Sequence, residues 1–186
     1  NLKIIQGETG APSEFNAKRA LNNYPWTERS QAKYGLRRLI ADLGHNIPTS
    51  YFSIADMFYD DEINNKALLK ARSDKTIERP KMAYFALQNI SSIFDDQLRP
   101  VLEEVIVNIN SECKTSIYQF KDKNNNFVIA FWLSSKIPAD NDEYINTKIK
   151  INGTNFDNPV YVDMLSGEVY EFQKKDFIQE TGTIKF

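Results

Sequence analysis

The chain has 186 residues, of which 41% are hydrophobic and 26% charged, a composition typical of a folded protein and not of a disordered or fibrous one. Lysine and arginine number 23 against 25 aspartate and glutamate residues, so the formal net charge is -2 and no cationic field is expected that could hold a polyanion. Nucleic acid is therefore excluded as an expected partner. No apolar run approaches the ~18 residues of a membrane-spanning helix, so no membrane partner is expected either.

The N-terminal part of the chain predicts a strand followed by a helix. The apolar run Leu2–Ile5 is closed by Gly7, as expected of a strand that is buried on both faces in a parallel sheet. Because the chain opens on Asn1 directly before this run, we expect further sequence upstream. From Thr27, an N-cap candidate with Ser30 as the second candidate, apolar residues recur at helical spacing until Gly44, which favours the end of the helix.

A second strand and a second helix follow in the same order. Thr49–Ile54 is rich in aromatic and β-branched residues, which is typical of a strand. A polar stretch then leads to Pro80 and predicts a long loop. Pro80 is expected in the first turn of a helix, because apolar residues repeat at helical spacing from Ala83 to Phe94.

Beyond Pro100 the pattern changes to short strands. Turn-rich segments separate these strands, no helical period returns, and Ser166 with Gly167 predicts a hairpin between the last two. We therefore expect a domain boundary near Pro100 and an antiparallel β-sandwich over residues 101–186. The predicted strands are Glu104–Val107, Ser116–Phe120, Phe127–Trp132, Thr147–Ile151, Val160–Asp163 and Val169–Phe172.

One carboxylate has the position of a catalytic group. Glu8 follows the first predicted strand between Gly7 and Gly10, and α/β-barrel enzymes place their catalytic groups at the C-terminal ends of such strands. A surface turn with a solvated glutamate fits the same residues equally well, and this alternative stays open here. Glu14 and Glu28 are weaker candidates, since Glu28 lies in a predicted first helical turn, where a carboxylate favours the helix dipole without catalytic duty.

Metal and thiol chemistry find little support in the sequence. Cys113 is the only cysteine, and its strand-like surroundings favour a small buried apolar group over a reactive thiol. His45, the only histidine, follows a predicted helix end, which favours a solvated position over a ligand role. Neither a zinc site nor a Cys–His nucleophile is supported, and no cofactor is expected.

No signal-peptide pattern is present in the sequence. The cellular compartment stays open, with a secreted or periplasmic location favoured.

The order of these features resembles the C-terminal part of retaining (β/α)8-barrel glycoside hydrolases, whose two catalytic glutamates follow strands four and seven. Residues Ile4–Ser13 resemble their seventh-strand motif, Gln31–Arg38 the seventh helix, Tyr51–Asp56 the eighth strand and Arg79–Leu87 the eighth helix, while Ala130–Trp132 and Pro159–Tyr170 resemble strands of the β-sandwich that often follows such barrels. The resemblance covers nearly the whole chain, although each motif is short.

The resemblance implies a fold, α/β followed by all-β, and a reaction, the hydrolysis of a glycosidic bond. Residues 1–100 would be the last two βα units of a (β/α)8 barrel, followed by the antiparallel β-sandwich. Glu8 would be the nucleophile of a double displacement, ~5 Å from a second carboxylic acid that protonates the leaving oxygen. That acid is expected after strand four, upstream of Asn1, so the chain alone is expected to be inactive. The remainder of the barrel would come from upstream sequence or a neighbouring molecule.

Four further residues are candidates for binding a carbohydrate substrate. Sugar subsites need flat aromatic faces and hydrogen-bonding groups, and four such residues fall in or near loops at the same end of the implied barrel as Glu8: Trp26, Tyr51, Phe52 and Asp56. Each has a structural alternative: Trp26 can staple the start of a helix, Phe52 can lie in the barrel core, and Asp56 can cap the next turn.

A rival hypothesis is a non-catalytic carbohydrate-binding or structural module. The environment of Glu8 separates the two hypotheses. A pocket beside Tyr51 and Phe52 favours the enzyme, whereas a side chain that points into bulk water favours the module.

Overall fold

The computed structural model describes most of the chain, and within this part the fold is mixed, with two helices and many short strands. None of the helices in the described ranges is long and apolar enough to cross a membrane. The described residues are 2–15, 17–18, 20–60, 62–102, 106–110, 113–134, 137–142, 148–152, 158–172, 177–178 and 183–185.

The chain divides into two compact units, each with its own elements. The assignment of these units to a barrel piece and a sandwich stays a prediction. The first unit comprises Asn1–Asp95, Pro138–Asn141 and Met164–Ser166, and the second comprises Asp96–Ile137, Asp142–Asp163 and Gly167–Phe186.

The first unit begins with a parallel strand–helix–strand arrangement, as the sequence predicts. Strand β1 (Gln6–Thr9) pairs in parallel with β2 (Thr49–Tyr51), and helix α1 (Glu28–Gly44) forms the crossover between them. The first strand was predicted too early, because Leu2–Ile5 precedes β1 and is exposed. Regular pairing starts only at Gln6, whose N–H donates to the Pro48 carbonyl at 2.9 Å.

Helix α1 starts where the sequence predicts. Thr27 is the N-cap: its hydroxyl accepts from the Ser30 N–H at 3.2 Å, and its own N–H donates to the Ser30 hydroxyl at 2.8 Å. These reciprocal bonds satisfy two backbone donors that the first turn leaves without helical partners. The helix ends at Gly44, also as predicted, and Leu36 and Ile40 bury one face at helical spacing.

The polar stretch after β2 is not the long loop that the sequence predicts. It contains two small antiparallel hairpins, whose strands are too short for an alternating pattern to be visible in the sequence. They are β3 (Met57–Phe58) with β4 (Ile63–Asn64), and β5 (Leu69–Ala71) with β6 (Ile77–Pro80).

The second predicted helix is confirmed as α2 (Met82–Ile93), which packs against α1. The prediction for Pro80 was wrong, because Pro80 ends β6 and Lys81 is the N-cap of the helix. Proline lacks an N–H and is tolerated at a strand end as well as in a first helical turn, so the sequence alone could not separate the two positions. Gly35 of α1 lies where the helices pack, since a Cβ there would lie 3.4 Å from Leu87 Cδ1 of α2.

The second unit consists of antiparallel strands, and within its described residues it contains no helix, as predicted. Glu104, Val105 and Thr147 of the predicted strands lie outside the described residues. The observed strands are β7 (Arg99–Val101), β8 (Ile106–Asn110), β9 (Thr115–Lys121), β10 (Phe127–Leu133), β11 (Lys148–Asn152), β12 (Val160–Val162), β13 (Val169–Glu171), β14 (Phe177–Ile178) and β15 (Thr183–Lys185).

These strands form three sheets. β9 lies between β7 and β10 in one sheet, and a second sheet has the order β14, β15, β11, β8. The predicted hairpin is confirmed as the β12–β13 pair, and Gly167 in its turn has a positive φ of 81°, which favours glycine.

The core of the second unit is built by alternate residues of three strands. Ile149 and Ile151 of β11 are buried, and in the antiparallel register they lie opposite Ile109 and Val107 of β8. Phe127, Ile129 and Phe131 of β10 pack against the same cluster, although β10 belongs to the other sheet. Because side chains alternate between the faces of a strand, this spacing places one apolar face of each sheet in the cluster.

We expect Ile149→Ala to lower the free energy of unfolding by roughly 2 to 5 kcal/mol, because it leaves a cavity in this cluster. Ile149 is 2% exposed, whereas Val169 is 61% exposed and provides the control variant Val169→Ala. Urea unfolding followed by circular dichroism measures both. Equal midpoints for the two variants would contradict the proposed core.

Candidate functional site

The carboxyl ends of β1 and β2 meet beside a pocket of about 210 Å³. The two strand ends are joined directly, since the Phe52 N–H donates to the Thr9 carbonyl at 2.7 Å. The pocket is lined by Gln6, Glu8, Thr9, Gly10, Ala20, Leu21, Tyr34, Arg38, Phe52 and Lys66.

Charged side chains of both signs line this pocket. Glu8 is exposed, Arg38 is half-buried and Lys66 is buried. Arg38 is held in place by two bonds: its Nε donates to Asp42 Oδ2 at 2.8 Å and its Nη2 donates to Gln6 Oε1 at 2.7 Å. Residues of both charges therefore line the pocket, and the guanidinium of one of them is held in a fixed orientation.

Gly10 is required where the two strands meet. The Phe52–Ser53 peptide bond is cis, and the Phe52 carbonyl lies so close to Gly10 that a Cβ there would overlap its oxygen. The same Cβ would lie 3.7 Å from the Cβ of Lys66. Both of these neighbours line the pocket, so the glycine sets how closely its walls approach.

The structure brings two of the five predicted site residues together. Glu8 and Phe52 line the same pocket, and Phe52 is half-buried there. Tyr51, Trp26 and Asp56 are not part of its lining.

Tyr51 packs against α1. A Cβ on Gly35 would lie 3.3 Å from Tyr51 Cε2, which places the ring against the helix. The Tyr51 hydroxyl is buried and has no hydrogen-bond partner among the described residues, and burial raises the pKa of this phenol. This environment is that of a packing residue.

Trp26 is also enclosed, at 4% exposure. Its Nε1 donates to the Leu21 carbonyl at 2.6 Å, and its ring meets Tyr24 and Tyr34 edge to face at centroid distances of 5.0 and 5.7 Å. A sugar ring stacks only on an exposed aromatic face, so these contacts favour the structural alternative for Trp26.

Asp56 lies in a buried ion pair. Its Oδ1 accepts from Lys81 Nζ at 2.6 Å, and Lys81 is 0% exposed. Burial raises the pKa of the Asp56 carboxyl and lowers the pKa of the Lys81 ammonium, while the attraction within the pair opposes both shifts. A carboxylate already bonded in this way is not free to bind a ligand in the pocket.

Sequence reasoning missed the residues around this ion pair. Lys81 also donates to Ser13 Oγ and to the Asn65 carbonyl, both at 2.9 Å. A serine beside a lysine can form a nucleophilic pair, but Ser13 is 3% exposed and Lys81 is fully buried, so a substrate cannot reach either. No sequence signal marks such a lysine, because lysine is rarely buried without a partner and its partners here are distant in the chain.

Glu28 joins the starts of the two helices. Its carboxylate accepts from Arg79 Nη1 at 2.9 Å and from Arg79 Nη2 at 2.5 Å, and it also accepts from the Met82 N–H at 3.3 Å. Burial raises the pKa of Glu28, but these hydrogen bonds outweigh burial and hold the pKa below its usual value. The carboxylate thus lies in the first turn of α1 and accepts a hydrogen bond from the first residue of α2, in line with the structural role predicted for it.

No family model matches the sequence, and no curated protein or solved structure matches it either. Among the described residues, no group of three or more histidine, cysteine, aspartate or glutamate side chains is placed to hold a metal ion.

We expect Gly10→Ala to destabilise the chain by roughly 1 to 3 kcal/mol, because the added methyl group displaces the Phe52 carbonyl. The matched control is Gly7→Ala, since a Cβ at Gly7 meets nothing within 4 Å. That change should alter stability by less than about 1 kcal/mol, in the stabilising direction. Urea midpoints compare the two variants, and a Gly10→Ala midpoint as high as that of the parent chain would rule out the close contact.

Glu28→Gln should destabilise the chain at pH 7 by about 1 kcal/mol or less, since Arg79 is 45% exposed and water weakens the pair. The pKa of Glu28 is lowered on folding, so its contribution is complete above the ordinary value of 4.5 and is lost as the pH falls through the lowered value. The difference between parent and variant should therefore vanish in acid. Thermal unfolding at pH 7 and pH 3 tests this, with the exposed Glu171→Gln as control.

Proposed function

We propose that the chain is the C-terminal portion of a retaining glycoside hydrolase, in which Glu8 is the nucleophile. In this proposal, β1 and α1 are the seventh βα unit of a (β/α)8 barrel, β2 and α2 are the eighth, and the second unit is the β-sandwich. The observation that carries the proposal is that Glu8, at the end of β1, and Phe52, directly after β2, line the same pocket.

Neighbouring parallel strands support this interpretation. In a barrel enzyme the reacting groups come from the carboxyl ends of several strands, which converge at one face. Here β1 and β2 run in parallel, and the Phe52 N–H to Thr9 carbonyl bond holds their carboxyl ends side by side. A carboxylate and an aromatic ring are the groups that attack and orient a sugar.

The proposed reaction proceeds in two steps. The carboxylate of Glu8 attacks the anomeric carbon of the bound sugar and forms a covalent glycosyl-enzyme, while a second carboxylic acid protonates the departing oxygen. That second residue then acts as a base and activates the water that releases the sugar. In the resemblance to the family the second carboxyl follows strand four, so we place it outside this chain.

Exposed apolar side chains before β1 and after β2 fit the proposed barrel. Leu2, Ile4, Ile5 and Ile54 are 101%, 69%, 66% and 74% exposed. Burial of a side chain of this size contributes roughly 1.5 to 3 kcal/mol, and further barrel strands and helices would cover all four. We therefore propose that the chain acts together with the remainder of the barrel, from upstream sequence or from a neighbouring molecule.

A non-catalytic carbohydrate-binding module is the second candidate. The observation in its favour is that Tyr118 and Trp132 stack on each other across β9 and β10, with ring centroids 5.3 Å apart and an interplanar angle of 20°. Both rings are half-buried, and paired flat aromatic surfaces suit sugar rings. In that case Glu8 would have no chemical duty.

Glu8→Gln in the protein that contains the whole barrel separates the two candidates. The change keeps the volume of the side chain and removes the nucleophile, so release of nitrophenol from aryl glycosides should fall by about a thousandfold or more. Glu14→Gln makes the same change at an exposed glutamate in the following loop and should leave the rate unchanged.

A covalent probe completes the test. An activated 2-deoxy-2-fluoro glycoside should leave its sugar on the peptide that contains Glu8, and mass spectrometry should find no adduct in the Glu8→Gln variant. An unchanged rate in that variant, or an adduct on another residue, would remove Glu8 from the mechanism. The 186-residue chain alone should release no nitrophenol, because the proposal places the second carboxyl outside this chain.

A further inference from the structure

Four buried polar side chains take part in hydrogen bonds that link the segments next to the pocket lining, and we call them the lysine cluster: Ser13, Gln31, Asp56 and Lys81. Gln31 and Lys81 are 0% exposed, Ser13 is 3% exposed and Asp56 is 8% exposed. None of them lines the pocket. The cluster therefore needs an explanation other than direct contact with a ligand there.

The Lys81 ammonium has the three donors of a charged lysine, and it has three acceptors. They are Asp56 Oδ1, Ser13 Oγ and the Asn65 carbonyl. The Ser13 hydroxyl in turn donates to the same Asn65 carbonyl at 2.8 Å. Burying a charge is costly unless it is paired and fully hydrogen-bonded, so the three segments that supply these acceptors must keep their places for Lys81 to stay buried.

Gln31 connects the same segments from the side of α1. Its Nε2 donates to the carbonyls of Ala11, Lys66 and Ala67 at 2.9, 3.0 and 3.3 Å. Because three carbonyl oxygens surround this side-chain atom, it is the amide nitrogen of Gln31 and not the amide oxygen. Gln31 and Lys81 thus both hold the segment after β1 to the backbone at residues 65–67.

The segments held in this way carry the pocket walls. Gly10 directly precedes Ala11, and Lys66 lies between Asn65 and Ala67. Phe52 lies four residues before Asp56, and the backbone between them is tied to the same region because the Leu68 N–H donates to the Ser53 carbonyl at 3.0 Å.

We propose that Lys81 is a positioning residue, which reaches from the N-cap of α2 to fix the segments carrying Gly10, Phe52 and Lys66 and so sets the shape of the pocket beside Glu8. The effect of Lys81 on the shape of the pocket is argued only from its hydrogen bonds to Ser13, Asp56 and Asn65. The expected effect on turnover rests on the proposed function.

The test must separate positioning from a general contribution to stability. Lys81→Met alone leaves the Asp56 carboxylate buried without its partner, which is strongly destabilising in itself. The double variant Lys81→Met/Asp56→Asn removes both charges, so the charge penalty disappears while the bonds to Ser13 and Asn65 remain broken. Lys70→Met, at a half-buried position of β5 in the same unit, is the matched control.

Amide hydrogen exchange of the 186-residue chain gives the direct readout. In the double variant, the amides of Phe52 and Leu68 should exchange about tenfold faster or more, because the segments that accept their hydrogen bonds are no longer fixed. The amides of α1 should keep the exchange rates they have in the parent chain and in Lys70→Met. Parent-like exchange at both reporter amides, in a double variant that unfolds cooperatively, would overturn the proposal.

A milder variant covers the case in which the double variant does not fold. Ser13→Ala removes one acceptor of Lys81 and one donor to Asn65 with a small change in volume. It should accelerate exchange at the Phe52 and Leu68 amides in the same direction, and unchanged rates there would equally overturn the proposal.

Turnover provides the second readout, in the protein that contains the whole barrel. The double variant should lower kcat by about tenfold or more at a temperature well below its melting temperature, since a displaced wall misorients the reacting groups. If Glu8→Gln leaves the rate unchanged, the glycosidase proposal fails, and hydrogen exchange still decides whether Lys81 positions the pocket.

Discussion

A lysine ammonium can lie in a protein interior only when each of its donors finds an acceptor, and in the first unit Lys81 meets this condition. Its acceptors belong to three segments that are far apart in the sequence, at Ser13, Asp56 and Asn65. Gln31 adds bonds to the same segments from α1. Side-chain hydrogen bonds therefore hold the irregular backbone beyond β1 and β2. In a regular sheet, hydrogen bonds between neighbouring strands would hold it.

The pocket depends on this arrangement. Its walls approach so closely that only glycine fits at position 10, and the Phe52 carbonyl occupies the space that a side chain would need. Glu8 and Phe52 reach the pocket because two parallel strands end side by side. The second unit follows a different principle, since its core is an apolar cluster around Ile149 and Ile151 in which side chains of two sheets meet.

Local patterns predicted much of the regular structure. The N-cap candidate Thr27 marked the start of α1, and Gly44 marked its end, because helix termini need specific local partners. The alternating strands of the second unit were predicted at nearly their observed positions. The hairpins between β3 and β6 were missed, because two or three residues are too few to show a period.

For the candidate site, sequence patterns predicted Glu8, as a carboxylate between Gly7 and Gly10, and Phe52, as an aromatic residue of the second predicted strand. Only the folded chain shows that these two line one pocket, that Trp26 is enclosed by other aromatic rings, and that Asp56 pairs with Lys81. The reason is physical. A capping bond or a strand period involves neighbours in the chain, whereas a buried charge is stabilised by partners that only folding brings within hydrogen-bonding distance.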